Sequence, residues 1–456
     1  MTDTAALSPQ PARTHLRAAL VLGLPLVGSH LAQFALQITD TLMLGWYGVE
    51  SLAGGVLGTT VFFTIFIFGT GFANAVMPMV ATAAAAGAPD EVRRATRMGM
   101  WLSAGFAALM LPVMWWSGPL LRLLGQPDVA VGLAQDYLRI AGWGMAPALV
   151  VMVLKSHLAA LERTQVVLWV TVAAVILNAA INWAFIFGNW GAPELGVRGA
   201  ALASVVVQTA TAAALAAYSG WLPALRRYAL FARLWRPDAV ALARVFRIGW
   251  PIGLALLAES GLFAATSILM GWIGTRELAA HGISIEITAM VFMIHLGLSN
   301  AATVMVGRAR GRGDADGLRL GALVACALSA GVALATMVLY VAAPAALIGL
   351  FVAPDDPARP AIIAIGVPFI LVAAVFQLAD SAQVMAMGLL RGLQDTRVPM
   401  VIATIAYWVL GIPASWVLGF PLGLGGVGVW LGLVLGLSVA AVLLMTRFWR
   451  RAPRPA

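Results

Sequence analysis

The chain has 456 residues, 61% of them hydrophobic and only 10% charged, with a mean hydropathy of +0.93. A soluble globular protein is about a quarter charged, so a water-soluble fold is excluded. The formal charge of +9 does not mark a nucleic-acid partner, because the basic residues form short clusters between apolar runs instead of lining one face.

In chain order, the first sixteen residues are mixed and polar, and the apolar run after them lacks a small-residue cleavage site, so no removable signal peptide is expected. A helix needs about 20 apolar residues to cross a hydrocarbon core of ~30 Å, and it satisfies its own backbone there. Runs of that kind fall at 17–46, 52–84, 96–118, 131–155, 166–188, 197–221, 243–272, 278–307, 318–350, 359–389, 398–419 and 427–447. The expected fold class is therefore an all-α integral membrane protein with twelve transmembrane helices.

Placing both termini in the cytoplasm puts Arg13, Arg17, Arg93, Arg94, Arg97, Lys155, Arg163, Arg391, Arg397 and Arg454 inside, with the Arg clusters at 226–247, 308–319 and 447–451. Only Arg122, Arg139, Arg198, Arg276 and Arg359 fall outside, as the positive-inside rule requires of a bacterial-type inner membrane protein. Residues 222–247 are basic and carry Leu225, Leu230, Leu234, Val240, Leu242 and Phe246 at roughly helical spacing. This stretch reads as an amphipathic cytoplasmic segment. The expected division is an N-terminal six-helix lobe at 1–221, a linker at 222–242 and a C-terminal six-helix lobe at 243–456.

The two halves are copies. An offset of 226 aligns Pro25 with Pro251 and runs without a gap to Gly87 and Gly313. Leu31/Leu257, Gly45/Gly271, Trp46/Trp272, Gly48/Gly274, Gly71/Gly297, Asn74/Asn300 and Met79/Met305 are among the identities. About 17 of roughly 63 positions match, against perhaps 6 or 7 for unrelated chains of this composition. Six helices separate the copies, so both enter from one side of the membrane and the lobes are expected to be pseudo-symmetric about its normal. Substrate sites in such folds lie near the midplane, in a cleft between repeats, and alternating access comes from rocking one half against the other.

A carboxylate at the bilayer centre costs at least ~2.5 kcal/mol, so those that remain usually face a wet cavity. Asp40, Glu259, Glu286 and Asp380 lie well inside the spans and are the candidate cation-coupling residues. Burial disfavours the charged carboxylate and a nearby cation favours it, so one such group exchanges H⁺, Na⁺ and a cationic substrate. Asn178 and Asn182, four apart on the fifth span, share a face; they either serve a common ligand beside Asp40 or act as interhelical glue. Gln33 aligns with Glu259 under the repeat, and Gln37, Gln383, Phe376 and His295 are further candidates for a polar or substrate-lining cavity. His295 and His281 have the chemistry to titrate near neutrality, but a lone histidine is more often a satisfied structural group. No G-x-S-x-G or H-E-x-x-H motif occurs, Cys326 is the single cysteine, and no Cys/His set has metal-ligand spacing, so neither an enzyme nor a resident cofactor is expected.

QITDTLMLGWYG with SLAGGVLG, the second copy WPIGLALLAES, LNAAINWAFIFG with LGVRGAA, and above all FQLADSAQVMAMGLLRGLQDTRVPM resemble the multidrug and toxic compound extrusion (MATE) transporters, closest to the NorM-like branch. The likeness runs over about residues 17–447. It implies twelve helices in two six-helix lobes around a V-shaped cleft, and Na⁺- or H⁺-driven antiport of small organic, mostly cationic compounds. Carried over by position, Glu259 and Asp380 match the cation-binding carboxylates, which hold Na⁺ if that is the coupling ion, and Asp40, Asn178 and Asn182 match a polar cluster of the N-terminal lobe. Two positions depart from the pattern: Phe376 stands where such members often carry Tyr, and Glu286 where a neutral residue is common. The expected partners are organic cations and membrane lipid, and the chain is expected to act as a monomer. The alternative function is a flippase for lipid-linked envelope precursors, for which a basic intramembrane cavity is expected.

Overall fold

The structure, a computed structural model, describes residues 12–453. Arg454 and most of the leader considered above lie outside the described residues. Among the described residues, twelve helices are long and apolar enough to cross a membrane: α1 Ala12–Tyr47, α2 Val49–Ala85, α3 Pro89–Trp115, α4 Asp128–Ala160, α5 Thr164–Phe187, α6 Val197–Trp221, α7 Ala239–Ile273, α8 Thr275–Arg312, α9 Ala315–Ala342, α10 Arg359–Gly392, α11 Arg397–Gly419 and α12 Gly425–Arg451. These match the twelve expected spans one for one. Leu109, Trp143, Val338 and Val442 point outward and exposed, as helices solvated by acyl chains allow.

The described chain forms two compact units, Gly28–Leu254 and residues 12–27 with 255–453. The divide falls inside α1 just after Pro25 and inside α7 just after Pro251, so each unit takes one opening helical segment from the other half of the chain. In the first unit α4 packs against α2, α3 and α6, and α5 packs on α6. In the second, α10 packs against α8, α9 and α12, and α11 lies on α12.

The internal repeat reappears in the joints. Gly48 accepts the end of α1, its N–H donating to the Leu44 carbonyl at 3.1 Å, and its carbonyl starts α2 by accepting from Leu52 at 2.9 Å. Gly274 does the same between Met270 and Leu278, at 3.1 and 3.0 Å. Gly87 and Gly313 both take φ of 70° as left-handed stops to α2 and α8, a conformation glycine enters without steric cost. A second matched pair was not legible from the ungapped alignment. Glu162 after α4 and Gln394 after α10 are both left-handed, with φ of 64° and 57°.

Gly71 and Gly297, identical under the repeat, have one packing role in their respective units. A Cβ on Gly71 would overlap the backbone of Gly249 and Gly253 in α7, and one on Gly297 would overlap the backbone of Val27 in α1. Small residues at such crossings let helix backbones approach within van der Waals contact, which drives association where lipid offers no hydrophobic effect.

The connecting segment differs from the amphipathic helix its spacing predicts. Only Pro223–Arg226 is helical; turns follow, with Ala229 and Arg233 left-handed, and α7 starts at Ala239. Leu225 and Leu230 are buried as expected, and so is Tyr228, but Val240 and Phe246 are exposed. Contacts to α3 override helix periodicity here. The Arg97 guanidinium donates to the carbonyls of Arg233 and Arg236, the latter at 2.7 Å, and Trp101 Nε1 donates to the Leu234 carbonyl at 2.8 Å. Asp238 pairs with Arg94 at 3.6 Å and caps α7 by accepting from Ala241 N–H at 3.0 Å.

Candidate functional site

Two groups of polar side chains sit in the membrane-spanning helices, one in each unit. In the first, α1 supplies Asp40 and α5 supplies Asn178 and Asn182, both fully buried. Asn178 Nδ2 donates to Asp40 Oδ1 at 2.6 Å and Asn182 Nδ2 to the same oxygen at 2.5 Å. The i, i+4 spacing aims both amides at one carboxylate. Thr171, one turn-multiple earlier on that face of α5, shares a buried 3.1 Å hydrogen bond with Ser29, so α1 is fastened to α5 at two levels. Both asparagine carbonyl oxygens are buried without a partner. Two N–H donors thus stabilise a negative charge on one buried oxygen, with two further unpartnered acceptors on the same asparagines, an arrangement suited to a proton or a small hard cation. Gln33 is half-buried and Gln37 exposed on the same helix.

In the second unit α7 supplies Glu259 and α10 supplies Asp380, which is buried. Glu259 Oε1 and Asp380 Oδ1 are both buried without a hydrogen-bond partner. The two carboxyls lie within electrostatic reach of each other, and Arg391 within reach of Glu259. Gln377, one turn before Asp380, has both amide atoms buried and unpartnered, and the Tyr407 hydroxyl is in the same state and within the field of both acids. A buried polar atom with no partner costs about 1–3 kcal/mol, so this concentration of them marks a ligand site more readily than a structural core. Tyr407 lies in a π-helical stretch of α11, Ile405–Gly411, a local distortion that is frequent at functional sites.

The other predicted residues take different places. Phe376 is buried in an aromatic wall, edge-on to Phe263 at 6.2 Å and to Trp430 at 5.7 Å between ring centroids. Gln383 Oε1 is buried and unpartnered. His295 Nδ1 is 2.9 Å from Ser329 Oγ, tying α8 to α9, while its Nε2 has no partner. Glu286 is exposed on α8, unlike these buried atoms. Among the described residues no three His, Cys, Asp or Glu side chains converge as a metal centre, so an ion here would rest on two carboxyls plus neutral oxygens.

Sequence reasoning passed over Gln377, Tyr407, Trp430 and Arg391. Gln377 and Tyr407 had a signal, a polar group inside an apolar span. Arg391 reads as a topology marker near a helix end, yet its side chain is buried and its Nε donates to the Met387 carbonyl at 3.3 Å.

Comparisons with known proteins agree with this architecture. The MatE family model matches residues 25–184 and 251–417, one block per copy of the repeat. The "Probable multidrug resistance protein NorM" of Rhizobium meliloti (strain 1021) is 47% identical over 437 residues, covering 96% of this chain and 94% of the relative. The protein of the same name from Agrobacterium fabrum is 43% identical over 435 residues, covering 95% and 94%. Among solved structures, the eukaryotic MATE transporter AtDTX14 superposes with a TM-score of 0.85 at 17% identity over 96% of each chain. A MOP superfamily transporter from Pyrococcus furiosus does so with 0.85 at 22% over 96% of each. The two matched blocks, the near full-length relatives and the shared twelve-helix fold together establish that the chain belongs to the MatE family.

Proposed function

We propose that this chain is a multidrug efflux transporter of the bacterial inner membrane that exchanges H⁺ or Na⁺ for small organic cations by rocker-switch alternating access. The names of its bacterial relatives support multidrug efflux. One observation carries the coupling: each unit holds acid-centred oxygens inside spanning helices, Asp40 under two amides in one, and Glu259 with Asp380, both with unpartnered oxygens, in the other. A buried carboxyl oxygen with no hydrogen-bond partner in the protein accepts a proton, a metal cation or an organic cation, each at the expense of the others. A ligand moves a two-state protein only through its differential affinity for the two states, and mutual exclusion at one acid provides that difference. With both termini cytoplasmic, substrate enters from the cytoplasm or inner leaflet and leaves outside. The flippase alternative asks for a basic cavity, whereas the unpartnered ionisable oxygens within the spans are acidic.

The test is efflux of a fluorescent organic cation from proteoliposomes under a Na⁺ gradient or a pH gradient imposed separately. Either gradient is expected to drive transport several-fold above the gradient-free rate. Equal rates with and without both gradients would remove the coupling from the proposal.

A further inference from the structure

Beyond the transport site, the basic connecting segment forms one wall of a cavity of about 330 Å³ within the Gly28–Leu254 unit, lined by Leu161, Arg163, Pro223, Leu225, Arg227 and Tyr228 among others. We infer that this cavity is a binding site for the phosphate of an anionic phospholipid headgroup. Its size falls at the lower end of the ~300–1,000 Å³ of small-molecule sites.

Charge points to a phosphate. Both charged residues in the lining are arginines, no carboxylate lines it, and among the described residues neither Arg163 nor Arg227 has an acidic partner. Residues 222–247 carry six arginines against one carboxylate, Asp238, and that carboxylate is committed to Arg94 and to the start of α7. Guanidinium forks match phosphate oxygens two at a time, which a lysine cannot do.

The site is also held rigid. Arg227 lies over the Tyr228 ring, 4.8 Å from its centroid, and donates to the Tyr228 hydroxyl at 2.7 Å. Tyr228 is itself buried and edge-on to His157, at 6.4 Å, and His157 Nδ1 is 2.9 Å from Thr96 Oγ1. The bonds from Arg97 and Trp101 pin the rest of the segment to α3. An ordered frame of this kind lowers the entropy lost on binding.

Position selects a lipid over a soluble phosphate. The cavity lies where α4 ends, α5 begins and α6 has just left the hydrocarbon, and Trp221 and Trp235 near it in the chain are 76% and 71% exposed. Tryptophan gathers at headgroup depth, and Lys and Arg are drawn to an anionic membrane surface.

The purified full-length protein in neutral detergent is titrated with short-chain phosphatidylglycerol, with phosphatidylcholine of equal chain length, and with glycerol phosphate, and thermal stabilisation and native mass spectrometry are read. Phosphatidylglycerol is expected to half-saturate at a concentration at least ~10-fold below phosphatidylcholine, the change that ~1.4 kcal/mol produces. R163Q/R227Q is expected to abolish that preference, and R13Q/R450Q, which removes equal charge elsewhere, to keep it. Should the double variant not yield folded protein, R163Q and R227Q singly are each expected to weaken phosphatidylglycerol binding at least threefold. Equal binding of the two lipids, or an unchanged preference in R163Q/R227Q or in both single variants, would overturn the site. Glycerol phosphate binding as tightly as phosphatidylglycerol would overturn the lipid assignment.

Discussion

Glu259→Gln combined with Asp380→Asn is expected to reduce gradient-driven efflux at least ~10-fold while the protein still folds and inserts. Neither substitution changes volume, and both oxygens singled out, Glu259 Oε1 and Asp380 Oδ1, lack a structural partner to lose. What is lost is the capacity to trade a proton or metal ion against an organic cation, and coupling free energies of this sort are about 1–3 kcal/mol, or 5–150-fold. Each single variant is expected to fall between wild type and the double, because the two carboxyls repel one another and each alone binds one cation more weakly. Tyr407→Phe serves as a milder probe of the same group, since it removes only a hydroxyl that no other atom of the protein engages. Normal efflux by the double variant would remove these acids from the mechanism.

The second large effect is expected at Asp40, where transport and stability separate. Asp40→Leu leaves the Asn178 and Asn182 amides buried without their acceptor, at about 1–3 kcal/mol for each stranded donor. The melting temperature is therefore expected to fall along with efflux. Asp40→Asn keeps an acceptor oxygen in place and removes the charge, so efflux falls at least ~10-fold, within the 1–3 kcal/mol range of ligand coupling, with a smaller loss of stability. Hydrogen bonds between helices in bilayers average ~0.6 kcal/mol and reach ~1.7, and a charged acceptor belongs at the upper end. A double-mutant cycle of Asp40→Leu with Asn178→Ala, which removes the acceptor and the donor in turn, is thus expected to give about 1–1.7 kcal/mol of interaction energy in thermal or chemical unfolding. A value indistinguishable from zero would mean that the 2.6 Å contact carries no free energy.

Much of this architecture is legible in the chain because lipid imposes a severe rule on it. Every backbone polar group must be satisfied within its own helix, so apolar runs near 20 residues translate directly into spans, and all twelve appear. The repeat is legible for a related reason: Gly71/Gly297 and Gly87/Gly313 sit at close crossings and left-handed stops where a side chain is costly, and such positions keep their residue in both copies. The exchange of the opening parts of α1 and α7 leaves no trace in hydropathy, which records how apolar a helix is and not which neighbours it packs on.

At the sites, acids announce themselves by the cost of burying them, and helix geometry puts Asn178 and Asn182 on one face, while their grouping with Asp40 is implied by the family resemblance. Neutral groups do not announce themselves. Gln377 and Tyr407 become conspicuous only when packing leaves their polar atoms buried without partners. Arg391 carries the signature of a membrane-face marker, and only tertiary packing buries it near Glu259. The connecting segment misled the periodicity argument because Arg97 and Trp101 of α3, far away in sequence, supply hydrogen bonds that a helix would otherwise provide.

The most direct test is binding, free of gradients and turnover. Affinity of the purified protein for a fluorescent organic cation is measured by anisotropy while Na⁺ and proton concentrations are raised in turn. Competition at shared carboxyls predicts at least ~10-fold weaker binding with one or both ions in wild type, worth ~1.4 kcal/mol, a smaller dependence in Glu259→Gln/Asp380→Asn, and none once Asp40→Asn is added. Affinity in wild type that ignores both ions, or an ion dependence that survives in the triple variant, would contradict it.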